Sequence, residues 1–542
     1  MKKLTAFLTA VILCCCMSVC PAALDIRSDI PTKTLNRILD DYRAALKSGE
    51  SYVSLADYGV SGNDAYSDLY SLFLFINGDI GSITISNYSE TIVNTMIDTD
   101  TSGAIKGARL IYNDRYLTDG GKCDIDLLNE DRRLVEERYQ YARSLVKYGM
   151  SDAEKALVLY EFIISAADYP TDEEINSGGN DIYTFVGLLR DEKAVCAAYA
   201  KLYAILLNDS GIPAVTVESD SIDHEWVMLR IDGKWYHADP TWDDYTFEDG
   251  YTVMWDLNND TRDIGAAYLS NFLKSDEEIE KTEHPDWELS NSVNPRKLKA
   301  VPTSGQSGAF SDKFFSSDDP DILCYSKMNY INGNWYFVDI YSNAIIRATY
   351  SGDREIISLP GNDFPKYSFG YENELYICTD KTIYRYDTIS EKFSKVMEIP
   401  EEKHETDCFS EMRILYDKMT LVSASYTYDD SNEYKSAVFT ENEYPMSDIS
   451  AMEGVIALTD DDEPEAQNID GTAVTANTRS SRLGRPGGNA ASDQLTAEQR
   501  AALDASSTTG RRLSAIFLIV VSAVFIGLAI LAVINALRNI RK

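Results

Sequence analysis

Histidine and cysteine are scarce, and basic charge is outnumbered. The 542 residues include four histidines, at 224, 237, 284 and 404, with no CxxC pair and no Cys/His cluster at zinc spacing. No metal and no cofactor is therefore expected. Of nine cysteines, Cys14, Cys15, Cys16 and Cys20 fall in an apolar leader, leaving Cys123, Cys196, Cys324, Cys378 and Cys408. That remainder is odd, so at most two bridges can form and at least one thiol stays free, which excludes a dense disulfide scaffold. Lys and Arg number 50 against 87 Asp and Glu, a net charge of -37. Charge of this sign repels nucleic acid and otherwise describes a solvated surface.

Length alone implies roughly three domains plus linkers. Residues 1–23 run from Lys2-Lys3 through an apolar stretch to small residues at Ala22 and Ala23, the order of a secretory signal peptide. Cys20 raises lipoprotein processing as an alternative, but Met17-Ser18-Val19 fits that motif poorly, and plain cleavage is expected. Residues 513–537 carry no charge and are bracketed by Arg511-Arg512 and Arg538, long enough as a helix to cross about 30 Å of hydrocarbon. The expectation is a single-pass cell-membrane protein with residues between the two segments outside and 538–542 cytoplasmic. Residues 457–512, rich in Asp, Glu, Ser, Thr, Gly and Asn, read as a disordered stalk.

Between these ends, 24–130 reads as an α+β cap, with a helix over Leu35–Leu46 and strands at Ser82–Ile85 and Ala108–Tyr112. Two helical stretches follow before Ala167, the second opening at Ser151-Asp152-Ala153-Glu154 in capping-box form. Over 305–456 short aromatic strands recur at about 40 residues, at Ile331-Asn332-Gly333-Asn334-Trp335, at Glu372-Asn373-Glu374-Leu375-Tyr376 and more weakly at Tyr416-Asp417-Lys418-Met419. The period predicts propeller-like repeats, too few for a usual closed ring, with a β-sandwich as an equal alternative.

The chemistry is concentrated in residues 191–244. Val195, Ala198, Tyr199, Leu202, Ile205 and Leu206 follow the helical period and Asp209-Ser210-Gly211 supplies a stop, so Cys196 falls in the first turn of a buried helix. A helix N-terminus favours a thiolate and offers N–H donors to a developing oxyanion. The plain alternative is a small cysteine filling space. Downstream, Asp232-Gly233 joins strands from His224 to Ile231 and from Lys234 to Asp239, the signature of a two-residue hairpin turn. Counting outward from Ile231 opposite Lys234 puts His224 and Asp239 on one face as diagonal neighbours, where a carboxylate can hold an imidazole in one tautomer. His237 shares that face beside Met228 and reads as structural.

The order Cys196, His224, Asp239, with Gly211-Ile212-Pro213 after the cysteine helix and Asp232-Gly233-Lys234-Trp235-Tyr236-His237 leading to Asp239-Pro240-Thr241-Trp242-Asp243-Asp244, resembles the bacterial transglutaminase-like superfamily. The likeness runs from about Ser151 to Asp244, and Tyr268 to Asp276 is similar to a segment that often trails this domain. Glu225, Val227 and Ala194 depart from residues common at those places. The resemblance implies a multidomain α+β chain with a transglutaminase-like, papain-like core over 131–295, a cysteine helix packed on an antiparallel sheet. It implies Cys196 as nucleophile, His224 as general base and acid, and Asp239 as orienting carboxylate. The expected activity is cell-surface thiol acyl transfer on an extracellular protein, peptide or cell-wall peptide, resolved by water as hydrolysis or by an amine as cross-linking. A non-catalytic surface scaffold, binding protein or glycan through the β-rich repeats, is the alternative.

Overall fold

The computed structural model describes residues 27–457 except 172–173, 176–179, 245–270, 305–326, 340–343, 351–353, 361–363, 429–433 and 451–455. The expected leader, membrane span, cytoplasmic tail and Cys324 lie outside the described residues, as does the expected stalk beyond Ala457. Among the described residues no helix is long and apolar enough to cross a membrane.

The chain opens with α1 (Thr32–Ser48), whose Leu35, Ile38, Leu39, Tyr42 and Leu46 form one buried stripe and whose C-cap is Gly49 at φ 71°. Only glycine enters that left-handed geometry without a Cβ penalty. With α2 (Asn63–Asp79) it covers a sheet of β1 (Tyr52–Ser54), β4 (Val93–Thr99) and β5 (Ile105–Tyr112), beside the hairpin of β2 (Ser82–Ile85) and β3 (Tyr88–Thr91). Helix α1 extends beyond the expected Leu35–Leu46 at both ends, from the exposed Thr32 to the exposed Ser48 before the Gly49 cap.

The central region begins with α3 (Ile125–Ser144), capped by Asp124 accepting from the Leu127 amide, and α4 (Asp152–Ala166), which has the full Ser151/Glu154 capping box. Two further helices follow, α5 (Phe185–Asp191) and α6 (Cys196–Asp209). Helix α6 packs on an antiparallel sheet of order β10-β6-β7-β8-β9, built from β6 (Ala214–Ser219), β7 (His224–Ile231), β8 (Lys234–Ala238), β9 (Phe272–Lys274) and β10 (Glu288–Leu289). A short α7 (Asp276–Lys281) follows β9 and packs against β8 and β9, its start held by the Ser275/Glu278 capping box.

One charged cluster secures α5. The Arg190 guanidinium, 4% exposed, lies 3.3 Å from Asp131 and 2.7 Å from Asp181, and also pairs with Asp191. Removing the guanidinium leaves the buried Asp131 carboxylate to Arg115 and the Tyr116 hydroxyl, while Asp181 and Asp191 keep access to solvent. Arg190→Met should therefore lower stability by about 1–3 kcal/mol in urea unfolding. A loss below about 1 kcal/mol would show that water replaces the guanidinium freely.

The β-rich region consists of three successive antiparallel sheets. The first is β11 (Asn329–Ile331), β12 (Asn334–Asp339), β13 (Ala344–Ala348) and β14 (Arg354–Ile357); the second is β15 (Tyr367–Tyr371), β16 (Glu374–Cys378), β17 (Thr382–Asp387) and β18 (Lys392–Glu398); the third is β19 (Asp407–Leu415), β20 (Lys418–Tyr428) and β21 (Tyr434–Pro445). Each repeat expected from the sequence is the first hairpin of one sheet. Among the described residues these sheets close into no ring. A two-residue β22 (Ile456–Ala457) adds a parallel edge to β18, so Ala457, expected to begin the stalk, ends a strand instead.

This region sits directly on the central helices. Lys327 Nζ donates to the Glu161 carbonyl and the Ser165 hydroxyl, both at 2.8 Å, and Trp335 Nε1 donates to Glu154 at 3.3 Å. Arg413 pairs with Glu192 at 3.1 Å, just before the cysteine helix.

Candidate active site

Val195 is the N-cap of α6 and Cys196 its first helical residue. The entry is pinned by a bridge between Asp168 and Lys193, with the Ala194 amide donating to the Asp168 carbonyl at 3.3 Å. Behind it, Ala198, Tyr199, Leu202 and Tyr203 are buried, and the Tyr199 hydroxyl reaches the Ala167 carbonyl at 2.7 Å. The cysteine is thus half-buried at the positive end of a rigid helix, where anions are favoured. Cys123, Cys196, Cys378 and Cys408 are all free thiols. Burial pushes the Cys123 thiol up to about 11 and raises that of Cys408.

The hairpin register is the one the Asp232-Gly233 turn predicts. Ile231 pairs with Lys234 and Met228 with His237, while His224 pairs backwards with Ser219 on β6. Asp239 follows β8, and His224 Nε2 lies 2.7 Å from its Oδ2. A sequence-level diagonal is therefore a direct hydrogen bond. With Nε2 bound to the carboxylate, Nδ1 is the nitrogen left to interact with Cys196, whose thiol contributes to holding the ring charged.

Burial works against a charged His224 ring, but the Asp239 carboxylate and the Cys196 contact outweigh it and pull the imidazolium up to about 10. Burial likewise opposes the Asp239 carboxylate, yet its imidazole partners hold it well below the usual range. Its Oδ1 accepts from the Thr241 amide at 2.9 Å, and its own amide donates to the Asn271 carbonyl at 3.0 Å.

A second carboxylate lies close by. Asp243 accepts from the Asn271 backbone and side chain, and Tyr160 Oη stands 2.6 Å from both Asp243 Oδ2 and the Asp239 carbonyl. Complete burial pushes Asp243 up to about 7 despite these donors.

Two more histidines surround the site. Trp226 Nε1 donates to His237 Nδ1 at 3.0 Å, which leaves His237 Nε2–H to donate to Asp276 at 2.9 Å. Both its nitrogens are thereby occupied. The residue that sequence reasoning missed is His284, fully buried in the turn after α7. Its Nε2 lies 3.0 Å from Asp239 Oδ2, the same oxygen that binds His224. Trp242 closes the group, its ring 4.9 Å from His224 and 4.1 Å from His284. The one available signal was scarcity itself: four histidines in the chain, one of them just past a Ser275–Glu278 capping box.

Donor atoms of His224, Asp239 and His284 lie within 4.8 Å of one another, the reach of a metal ion. Each imidazole is already within hydrogen-bond distance of Oδ2, so two N–H donors satisfy the carboxylate without an ion. Glu225, one of the departures from the common pattern, accepts from the Ser290 hydroxyl at 2.7 Å. Tyr169 and Tyr183 are in electrostatic reach of Cys196.

Residues 139–240 match the family model of the transglutaminase-like superfamily. No curated protein matches the chain. Among solved structures it is similar to a calcium-binding protein, regucalcin, from Agrobacterium tumefaciens str. C58, at 12% identity over 22% of this chain and 40% of that one, with a TM-score of 0.18. A TGase is 15% identical over 27% of this chain and 44% of its own, also at 0.18. A putative conserved lipoprotein from Clostridium novyi NT is 11% identical over 22% of this chain and 86% of its own, again at 0.18. The chain thus spans less than half the length of the first two, and overlaps this small carry no argument about function.

Proposed function

Residues 139–240 form a transglutaminase-like superfamily domain, and on that premise we propose that the protein is a thiol acyl-transfer enzyme acting on peptide or amide bonds. The observation that carries this reading is the placing of Cys196 at a helix N-terminus beside His224, whose ring is hydrogen-bonded at 2.7 Å to the buried Asp239.

In this reading the thiol proton already rests on His224 Nδ1 at neutral pH, and the Cys196 thiolate attacks the substrate carbonyl carbon. Amide groups at the start of α6 face the oxygen as it becomes negative. The C–N bond then breaks, the His224 proton passes to the departing amine, and a thioester remains on Cys196. Water or a second amine, deprotonated by the same ring, releases the acyl group. Asp239 keeps Nε2 protonated, so that Nδ1 is the nitrogen that holds the thiol's proton and passes it to the departing amine. The leader and apolar span in the sequence support a membrane-anchored protein facing outward, with a cell-surface protein or peptide as substrate.

The test is the pH dependence of iodoacetamide labelling, residue by residue, in purified full-length protein and in His224→Ala. Cys196 should label at about pH 6, ahead of Cys408, and His224→Ala should slow it about 100-fold there. Cys196 labelling that tracks an ordinary thiol of pKa about 8.5 in both proteins would sink the enzyme reading and favour the scaffold.

A further inference from the structure

Asp239 is bound on every side. Oδ1 takes the Thr241 amide, and Oδ2 takes His224 at 2.7 Å and His284 at 3.0 Å. The carboxylate is fully buried, so no solvent competes for it. An imidazole nitrogen at hydrogen-bond distance from a carboxylate oxygen must carry a proton, whatever the charge of the ring. Two N–H donors therefore converge on one oxygen. His284 is itself fixed: Nδ1 lies 3.0 Å from the Thr282 carbonyl and 3.1 Å from its hydroxyl, and its amide donates to the Ile279 carbonyl. Its ring is wedged 4.1 Å from Trp242 and 4.8 Å from Trp226.

We propose that His284 is a positioning residue for the acyl-transfer site: its Nε2–H holds the Asp239 carboxylate toward His224 and shares that carboxylate's charge between two rings. This rests on the thiol acyl-transfer reading and adds a fourth member to the line. Its physical consequence is a balance. A carboxylate bonded to His224 alone grips the imidazolium harder, and the proton that must pass to the departing amine is released less readily. A second donor on Oδ2 draws off part of that charge and relaxes the grip. The other ionisable groups around the three residues are Cys196 from α6, Tyr160 from α4, His237 from β8, and Tyr169 and Asp243 from the adjoining loops. None of them donates to Oδ2 among the described residues.

The test uses full-length protein labelled with 15N in its imidazoles, where four histidines make the ring signals separable. In the parent, both His224 and His284 should show exchange-protected Nε2–H protons. An unprotected His284 Nε2 would overturn the proposal before any substitution is made. His284→Phe fills the space without a donor, and His284→Gln offers an amide N–H to Oδ2. The Phe variant should raise the His224 titration midpoint by about one pH unit and slow single-turnover acylation about tenfold at pH 7, while Gln restores both to within about twofold. Phe and Gln variants that behave alike, or a His224 midpoint unmoved by Phe, would reduce His284 to a space-filler. Ordinary reactivity of Cys196 in the parent would defeat the enzyme reading separately, because the His224 midpoint is read without turnover.

Discussion

Cys196→Ala should abolish acyl transfer, by about 10⁴-fold or more, while leaving the fold in place. The magnitude follows from the chemistry: without Sγ no thioester can form, and the remaining groups offer only oxyanion stabilisation and binding. The preserved fold follows from position. The side chain is half-buried at the first residue of α6, and the helix is held by Ala198, Tyr199, Leu202 and Tyr203 beneath it. Loss of a single sulfur there leaves the packed face of the helix untouched. The measurement is release of amine from a peptide-amide library, with thermal unfolding as control. Activity that survives within tenfold would place the chemistry elsewhere, whereas a variant that fails to fold would show the thiol to be structural.

Asp239→Asn is the second large effect and differs in kind, because it should damage both activity and stability. The carboxylate receives the Thr241 amide and two imidazole N–H groups. An amide side chain has one acceptor oxygen, so its NH₂ must confront at least one of these donors. If that donor is His224, the ring turns to the other tautomer and presents a proton, not a lone pair, to Cys196. A loss of about 10³–10⁴-fold in acylation is expected from the wrong tautomer. Unpairing a buried hydrogen-bonded charge site should cost about 3–5 kcal/mol.

The pH dependence of that cost has a definite sign. Asp239 is held below its unfolded value, so its contribution is complete above about pH 4 and is lost as pH falls through the lower folded value. His224 is held up at about 10; its contribution is complete below about pH 6.5 and is lost as pH rises through about 10. The stability gap between parent and Asp239→Asn should therefore be widest from about pH 4 to 6.5, and narrow at both extremes. A gap that is flat with pH would mean that the carboxylate is not ionised against these rings.

Much of this was legible along the chain, and the reason is local. A two-residue Asp232-Gly233 turn has one register that keeps both strands twisted together, so the pairing of Ile231 with Lys234 and the shared face of His224 and Asp239 follow by counting. Apolar spacing and the Asp209-Ser210-Gly211 stop place Cys196 in the first turn of α6, and Ser151 with Glu154 announces α4. The 40-residue period likewise located one hairpin in each of the three outer sheets, since each hairpin is built from neighbours in sequence.

What the residues by themselves determined is thus the set of local elements and the faces they present, because turn chemistry and periodicity act over a few positions. Only the tertiary structure decided that His284, 45 residues beyond Asp239, returns to the same carboxylate oxygen, that Trp242 lies against both rings, and that the β-rich sheets rest on α4 through Lys327 and Trp335. Those contacts depend on how β9 and α7 dock against the sheet and on how buried surfaces fit. No spacing rule reports a partner whose position is set by packing across the fold.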